Sequence, residues 1–127
     1  MPLVRISLPQ NTSAVDVTAV SSSVHLALVC TFNVPEPDRF QAVHKHSPDE
    51  LVCTPEFLGV QHSPNVVFVQ ISCSPGRSVD MKKALYAKIA EEIARSSSFK
   101  AEDVIINLLE TPRENWSFGL GVAQYAP

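Results

Sequence analysis

The sequence predicts an α/β fold in which a β-α-β unit occurs twice and forms one four-stranded sheet with two helices on one face. Two observations predict it. At an offset of 65 residues the two halves of the chain share an apolar pattern without a gap, so that Val4 corresponds to Val69 and Ser13 to Ser78. Each half also contains two β-rich segments on either side of a segment with apolar residues at helical spacing. Strands joined through a helix imply right-handed crossovers and parallel pairing within each unit.

A single domain is expected over residues 1–127. The chain has 127 residues, of which 45% are hydrophobic, so it can bury one core but not two independent ones. The repeated halves are expected at about residues 2–46 and 66–118. The segment 47–65 between them is polar and rich in proline, which indicates a connecting loop with at most a short strand.

The first unit starts with a strand over residues 3–8, where apolar and polar residues alternate. Ser13 is a candidate N-cap for the helix that follows. That helix contains many serines and β-branched residues, so packing rather than helix propensity must stabilise it. The prolines of VPEPDRF end the helix, and a strand resumes over residues 40–46. The apolar stripe of the helix consists of Val17, Val20, Val24, Ala27 and Leu28.

The second unit starts with a strand over residues 66–72, which is rich in β-branched residues. The segment SPGRS ends this strand, and the segment DVIINLLE provides the second strand of the unit. The helix between them has its apolar residues at Met81, Leu85, Ile89 and Ile93. In the tail, ENWSFGLG contains two glycines, which permit a tight turn or a hairpin.

With both helices on one face, the other face of the predicted sheet lacks a cover. A symmetric homo-oligomer would bury the apolar residues on that face. The net charge of −3 shows no basic character, so nucleic acid is not expected as a partner.

No apolar run approaches the roughly 18 residues of a membrane span, and no signal-peptide pattern precedes the first strand. We therefore expect no membrane association and a cytoplasmic location. The three cysteines, Cys30, Cys53 and Cys73, fit neither a disulfide framework nor a zinc site by their spacing. Reduced, mostly buried thiols are expected.

Four segments, MPLVRI, VPEPDRFQ, PGRS and ENWSFGLG, together resemble the tautomerase superfamily. More narrowly, they resemble its fused members near malonate semialdehyde decarboxylase and related 4-oxalocrotonate tautomerase-like proteins. The likeness runs from Pro2 to Tyr125. It implies a tautomerase/MIF-like fold, a homotrimer packed sheet against sheet, and an amino-terminal proline as the catalytic group.

Pro2 has two interpretations. A proline at the start of a strand is allowed for purely structural reasons, because it has no backbone N–H to donate to a ladder. Removal of Met1 would instead leave a secondary amine at the amino terminus, which can act as a base or as an acid. The resemblance favours this catalytic role.

Two charged residues of these motifs are candidate site residues. The guanidinium of Arg77 can hold a carboxylate through paired hydrogen bonds, although a solvated surface arginine is the plain alternative. Asp38 could be only a turn former or a partner of Arg39, which we expect to be structural. The resemblance implies that Arg77 binds the substrate carboxylate. It also implies that Asp38 lies near the proline amine, where its charge would favour the protonated form.

The aromatic residues Trp116, Phe118 and Tyr125 are typical of a core or a subunit interface, and the resemblance implies that they line the substrate pocket.

The sequence departs from the decarboxylase pattern at two positions. Where the decarboxylase has two further arginines, this chain has Ser72 and Ser74. The loss of these cations weakens a decarboxylase assignment and favours tautomerase activity.

No metal or cofactor is expected. His44 and His46 alternate along one strand face, but no third ligand lies at an obvious spacing. Neither a phosphate-binding glycine loop nor a GxSxG turn is present in the sequence.

The expected function is that of a cofactor-independent tautomerase in which Pro2 transfers a proton on a small keto or enol carboxylic acid. An enzymatic alternative is decarboxylation or hydration of a 3-carbon oxo acid, with the same amine as the acid. The alternative of another class is a catalytically idle trimeric binding protein, which is favoured if Met1 stays attached.

Overall fold

The computed structural model describes residues 1–127 and contains a four-stranded mixed sheet with both long helices on one face. The predicted fold class is therefore confirmed. In chain order the elements are β1 (Leu3–Pro9), α1 (Ala14–Phe32), β2 (Gln41–His46), β3 (Glu56–Phe57), β4 (Val60–Gln61), β5 (Val67–Cys73), α2 (Val79–Ser96) and β6 (Val104–Glu110).

The strand order in the sheet is β2-β1-β5-β6. Each β-α-β unit contributes one parallel pair, whereas β1 and β5 pair antiparallel at the centre. Val4 pairs with Gln41, and its counterpart Val69 pairs with Ile106, so the two parallel pairs have the same separation along the chain. The halves are thus related by an approximate two-fold axis between the central strands.

Both helices start at the serines that correspond in the two halves. The side chain of Ser13 accepts a hydrogen bond from the backbone N–H of Asp16, and Ser78 does the same for Met81, which confirms Ser13 as an N-cap. Helix α1 ends at Asn33, which adopts the left-handed conformation with φ of 56°.

The core lies between the helices and the inner face of the sheet. Alternate residues of β1 and β5 are fully buried there, and they pack against the apolar stripes of α1 and α2. The largest fully buried side chains include Ile6, Leu8, Leu28, Ile71, Leu85, Ile89 and Ile93.

Helix α1 corrects one expectation. Its 19 residues are long and apolar enough to cross a membrane by length and composition, although no such segment was expected. In this fold the helix packs on the sheet, with Val20, Val24 and Leu28 buried in the core, which accounts for its apolar composition.

Three further expectations need adjustment. The connecting segment forms a small hairpin of β3 and β4 rather than one short strand. Of the two alternatives expected for the tail, turns are found and a hairpin is not, because the tail contains a 3₁₀ turn at Arg113–Asn115 and further turns but no strand. Only Cys73 is buried, while Cys53 is half-buried and Cys30 is exposed, so the thiols are not mostly buried.

The outer face of the sheet carries no helix. Its residues alternate with the core residues and include Leu3, Arg5, Phe68, Gln70, Ile105, Asn107 and Leu109. Gln70 donates a hydrogen bond to Asn107 across β5 and β6, so apolar side chains surround a polar centre on this face.

Candidate active site

The candidate site lies at the corner of the sheet where β1 and β2 begin and β5 and β6 end. Two backbone hydrogen bonds of 2.9 Å fix this corner: the N–H of Val4 donates to the carbonyl of Phe40, and the N–H of Thr111 donates to the carbonyl of Cys73. The antiparallel pairing of β1 with β5 brings the start of the chain beside the end of the second unit.

Pro2 is buried directly before β1, and the amino group in the structure belongs to Met1. Its nitrogen lies 3.7 Å from Oδ2 of Asp38. The other carboxylate oxygen, Oδ1, is buried and has no hydrogen-bond partner. The structure therefore brings the amino terminus and Asp38 together.

The loop before β2 is held from two sides, and this positions Asp38. His25 on α1 is only 4% exposed, and its Nε2 lies 2.8 Å from the carbonyl oxygen of Glu36. The backbone N–H of Asp38 donates to the carbonyl of Pro35 at 2.9 Å. Arg39 donates to Ser21 and to Gln41 on the opposite side, which fits a structural role.

Arg77 lies half-buried in the loop between β5 and α2. Its Nη1 donates to the carbonyl of Ser74 at 3.1 Å, and its guanidinium carbon lies 4.8 Å from the centre of the Phe32 ring. These contacts orient the side chain and leave N–H groups available, because a guanidinium has five donors. Such a fixed guanidinium can bind a carboxylate.

Cys73 connects the two charged parts of this corner. Burial raises the pKa of its thiol, while the positive charges of Arg77 and of the amino terminus act in the opposite direction. Both cations thus lie close enough to the same buried sulfur to influence it. The thiol itself stays protonated near neutral pH and supplies no charge to the site.

The three predicted aromatic residues pack together in the tail. Trp116 stacks on Phe118 with ring centroids 5.5 Å apart, and the edge of Tyr125 contacts Phe118 at 5.0 Å. Phe40, directly before β2, lies 6.1 Å from Phe118 and joins this cluster to the start of the sheet. Arg113 covers the ring of Tyr125 at 5.1 Å.

Buried polar atoms without a partner are concentrated in this corner. Of the four in the chain, three are Oδ1 of Asp38, Oγ1 of Thr111 and Nε1 of Trp116. Buried polar groups normally have hydrogen-bond partners, so this concentration of unpaired ones marks the corner as a candidate binding site. Thr111 and Phe40 were missed by the sequence analysis. The position of each next to a strand end was the only signal that could have found them.

Two serines stand at the positions where the related decarboxylase is expected to have arginines. Ser72 and Ser74 are half-buried. The nearby lysine, Lys82 at the start of α2, is bound to Glu110 at 2.9 Å, and this hydrogen bond raises the pKa of its ammonium group. Arg77 is therefore the cation of this corner whose hydrogen bonds go only to backbone carbonyls.

Comparison with known proteins agrees with this geometry. Residues 38–119 match the family described as tautomerase enzyme. The probable tautomerase YusQ of Bacillus subtilis (strain 168) is 34% identical over 124 residues, which cover 98% of this chain and 98% of that protein.

Solved structures of two malonate semialdehyde decarboxylases are similar to this chain over nearly its whole length. The FG41 malonate semialdehyde decarboxylase inhibited by 3-bromopropiolate is 36% identical with a TM-score of 0.90, over 97% of this chain and 93% of that one. A second malonate semialdehyde decarboxylase, solved in wild-type, mutant and inactivated forms to explain decarboxylase and hydratase activities, is 31% identical with a TM-score of 0.89, over 97% and 95%. A fused 4-OT that forms a symmetric trimer shares the fold alone, at 18% identity and a TM-score of 0.78 over 94% of both chains.

Proposed function

Because this chain belongs to the tautomerase family, we propose that it is a tautomerase-type enzyme in which the amino-terminal proline transfers a proton on a small keto or enol carboxylic acid. The observation that carries the proposal is the amino terminus held 3.7 Å from the carboxylate of Asp38 in a mostly buried corner. Removal of Met1 would leave the nitrogen of Pro2 as the free amino terminus.

In this mechanism the amine of Pro2 is the base that takes a proton from the oxygen or carbon of the substrate and returns it to the other atom. Asp38 stabilises the protonated amine by its charge. Arg77 binds the substrate carboxylate, and the aromatic cluster of Trp116, Phe118 and Tyr125 forms an apolar wall that strengthens these charge interactions.

We also propose that the active assembly is a homotrimer. The uncovered outer face of the sheet supports this proposal, since its apolar residues would be buried between protomers. A fused 4-OT with this fold forms a symmetric trimer, which also supports the proposal.

The experiment is to measure ketonisation of an enol carboxylate, phenylenolpyruvate, by the protein and by Pro2→Ala. General acid–base groups contribute about 10²–10⁴-fold, and alanine keeps a primary amine, so we expect kcat/KM to fall by about 10²-fold. The fold should survive, because a proline before the strand donates no ladder hydrogen bond. The control is Pro55→Ala, in an exposed loop. An unchanged rate in Pro2→Ala would overturn the proposal.

A second candidate function is decarboxylation or hydration of a 3-carbon oxo acid. The similarity to two malonate semialdehyde decarboxylases at 36% and 31% identity favours it, while the serines at positions 72 and 74 argue against it. Malonate semialdehyde supplied to the same preparation tests it. Release of carbon dioxide faster than ketonisation of the enol would make decarboxylation the main activity.

A further inference from the structure

A well-defined cavity lies away from the candidate active site. It has a volume of about 370 Å³ and is at the opposite end of the sheet, where β1 and β2 end and β5 begins. None of its 12 lining residues is an aspartate, glutamate, lysine or arginine. They include Asn11, His46, Leu51, Cys53, Asn65 and Val66.

The approximate two-fold axis of the fold relates this cavity to the active-site corner. In the register of the repeat, His46 corresponds to Thr111, and Leu51 corresponds to Trp116. The two parallel strand pairs have the same register, so corresponding residues occupy corresponding places in the sheet. The cavity is therefore the counterpart, in the other half of the molecule, of the corner that contains Pro2.

An unpaired buried polar atom occurs at corresponding positions of the cavity and of the corner that contains Pro2. The fourth buried polar atom without a hydrogen-bond partner is Nε2 of His46, which lines the cavity. Its counterpart Thr111 also has an unpaired buried atom, Oγ1. A buried ring nitrogen without a partner costs free energy unless a ligand satisfies it.

The cavity and the corner that contains Pro2 differ in their charged groups. Thr12 occupies the position that corresponds to Arg77, and Val67 the position that corresponds to Pro2, so the second place has neither the guanidinium nor an amino terminus. The aspartate is kept as Asp103, but it is 2% exposed and accepts hydrogen bonds from the N–H and the hydroxyl of Ser63 at 2.7 and 2.6 Å. It is thus fully engaged within the protein.

We propose that this cavity is a second binding site, which takes a small uncharged molecule with hydrogen-bonding groups and does not catalyse the tautomerase reaction. A carboxylate is disfavoured because no lysine or arginine lines the cavity, and burial of a charge without a cation is costly. An uncharged amide or hydroxyl can pair with the side-chain amides of Asn11 and Asn65, and with Nε2 of His46 when its ring turns toward the cavity. The site does not depend on the activity proposed for Pro2.

The test uses two probes of nearly equal size, malonamide and malonate, added to the full-length protein while the imidazole signals of His46 and the side-chain amide signals of Asn11 and Asn65 are followed by NMR; in His46→Ala the two amides provide the readout. Malonamide should shift these signals in a saturable way, and malonate should leave them unchanged. His46→Ala should weaken the binding of malonamide about three- to tenfold, since one hydrogen bond is lost. No internal hydrogen bond of that side chain disappears, so the fold should be kept.

The matched control is His44→Ala, on the same strand with its ring 6.3 Å from that of His46 but outside the cavity lining. It should bind malonamide as the unmodified protein does. Leu51→Trp, which fills the cavity, should abolish binding with His46 still present. No saturable shift with malonamide, an equal response to malonate, or an equal loss in His44→Ala and His46→Ala would overturn the proposal.

Discussion

At the scale of single residues, the candidate active-site corner contains two charged groups with different proposed tasks. Asp38 faces the amino terminus, whereas Arg77 is oriented by backbone carbonyls and by the ring of Phe32. Neither group is paired with the other, so each is available for its proposed partner. Substitution of one should therefore change one kinetic property and leave the other.

Arg77→Ala should raise KM for an enol carboxylate about tenfold or more. The reason is the loss of a charge-assisted hydrogen bond, worth about 1.5–3 kcal/mol. Saturation kinetics measures the effect, with Arg95→Ala as a control that removes an exposed arginine on α2. Unchanged KM in Arg77→Ala would make this residue a surface arginine.

Asp38→Asn should shift the pH–rate profile without abolishing activity. Without the negative charge the protonated amine is less stable, so the free base forms at lower pH and the rising limb of the profile should move to lower pH. The rate of ketonisation measured against pH for both proteins tests this. If the two profiles coincide, the charge of Asp38 does not act on the amine.

The sequence predicted these residues through motifs, but it could not provide their contacts. The engaged state of Asp103 and the unpaired atom of Thr111 depend on which loops meet across the sheet. The burial of the cysteines also depends on the fold. Cys73 is buried because side chains of β5 alternate between the core and the outer face, and Cys73 is on the core side. The catalytic and binding roles of the named residues stay predictions.

At the scale of elements, α1 and α2 pack on the same face of the sheet but differ in the side chains that stabilise them. Helix α1 contains many serines, and a partly buried hydrogen bond joins its Ser23 to Ser96 of α2. Most charged side chains of helix α2 are exposed, but Glu92 is only 6% exposed and is paired with both Lys88 and Arg95. This glutamate couples the stability of α2 to pH.

Glu92→Gln should lower the free energy of unfolding at neutral pH. Hydrogen bonds from Arg95 and Lys88 lower the pKa of Glu92 in the folded protein. Its contribution is therefore complete above the pKa of an unfolded glutamate, about 4.3, and is lost as pH falls through the lower folded value. Urea unfolding at several pH values should show the difference between the two proteins shrinking below about pH 4. A constant difference would contradict this linkage.

The strands and helices were predictable because apolar residues alternate in β1 and β5 and recur at helical spacing in both helices. The ends were shifted by only one residue, as at β5, which begins at Val67 rather than at residue 66. The hairpin of β3 and β4 was not predictable as a pair, since strands of two residues give no period. In the tail, the glycines make turns with positive φ but no strands follow them.

At the scale of the whole molecule, the uncovered sheet face is the feature that the fold itself does not explain. Leu109 on this face is 42% exposed, and the half-buried pair of Ile105 and Phe68 lies at the other end of the β5–β6 pair. Exposed apolar side chains around a polar centre are suited to a specific contact with further copies of the chain.

Leu109→Asp should dissociate the proposed trimer. An unpaired carboxylate in the contact costs about 3 kcal/mol or more, which corresponds to roughly a hundredfold or more in the dissociation constant. Sedimentation at micromolar concentration measures the assembly, with Val15→Asp, at an exposed site on α1, as the control. A monomer in the unmodified protein would refute packing of sheet against sheet.

The central claim is that the amine of Pro2 is the catalytic group, and the state of Met1 tests it most directly. Two preparations are compared for ketonisation of phenylenolpyruvate, one with Met1 removed and one with Met1 retained, each verified by intact mass and by sedimentation. With Met1 retained, the nitrogen of Pro2 is an amide and cannot exchange a proton at neutral pH, so we predict a rate at least about 10²-fold lower. Equal rates in the two preparations would contradict the claim and favour a trimer that binds without catalysis.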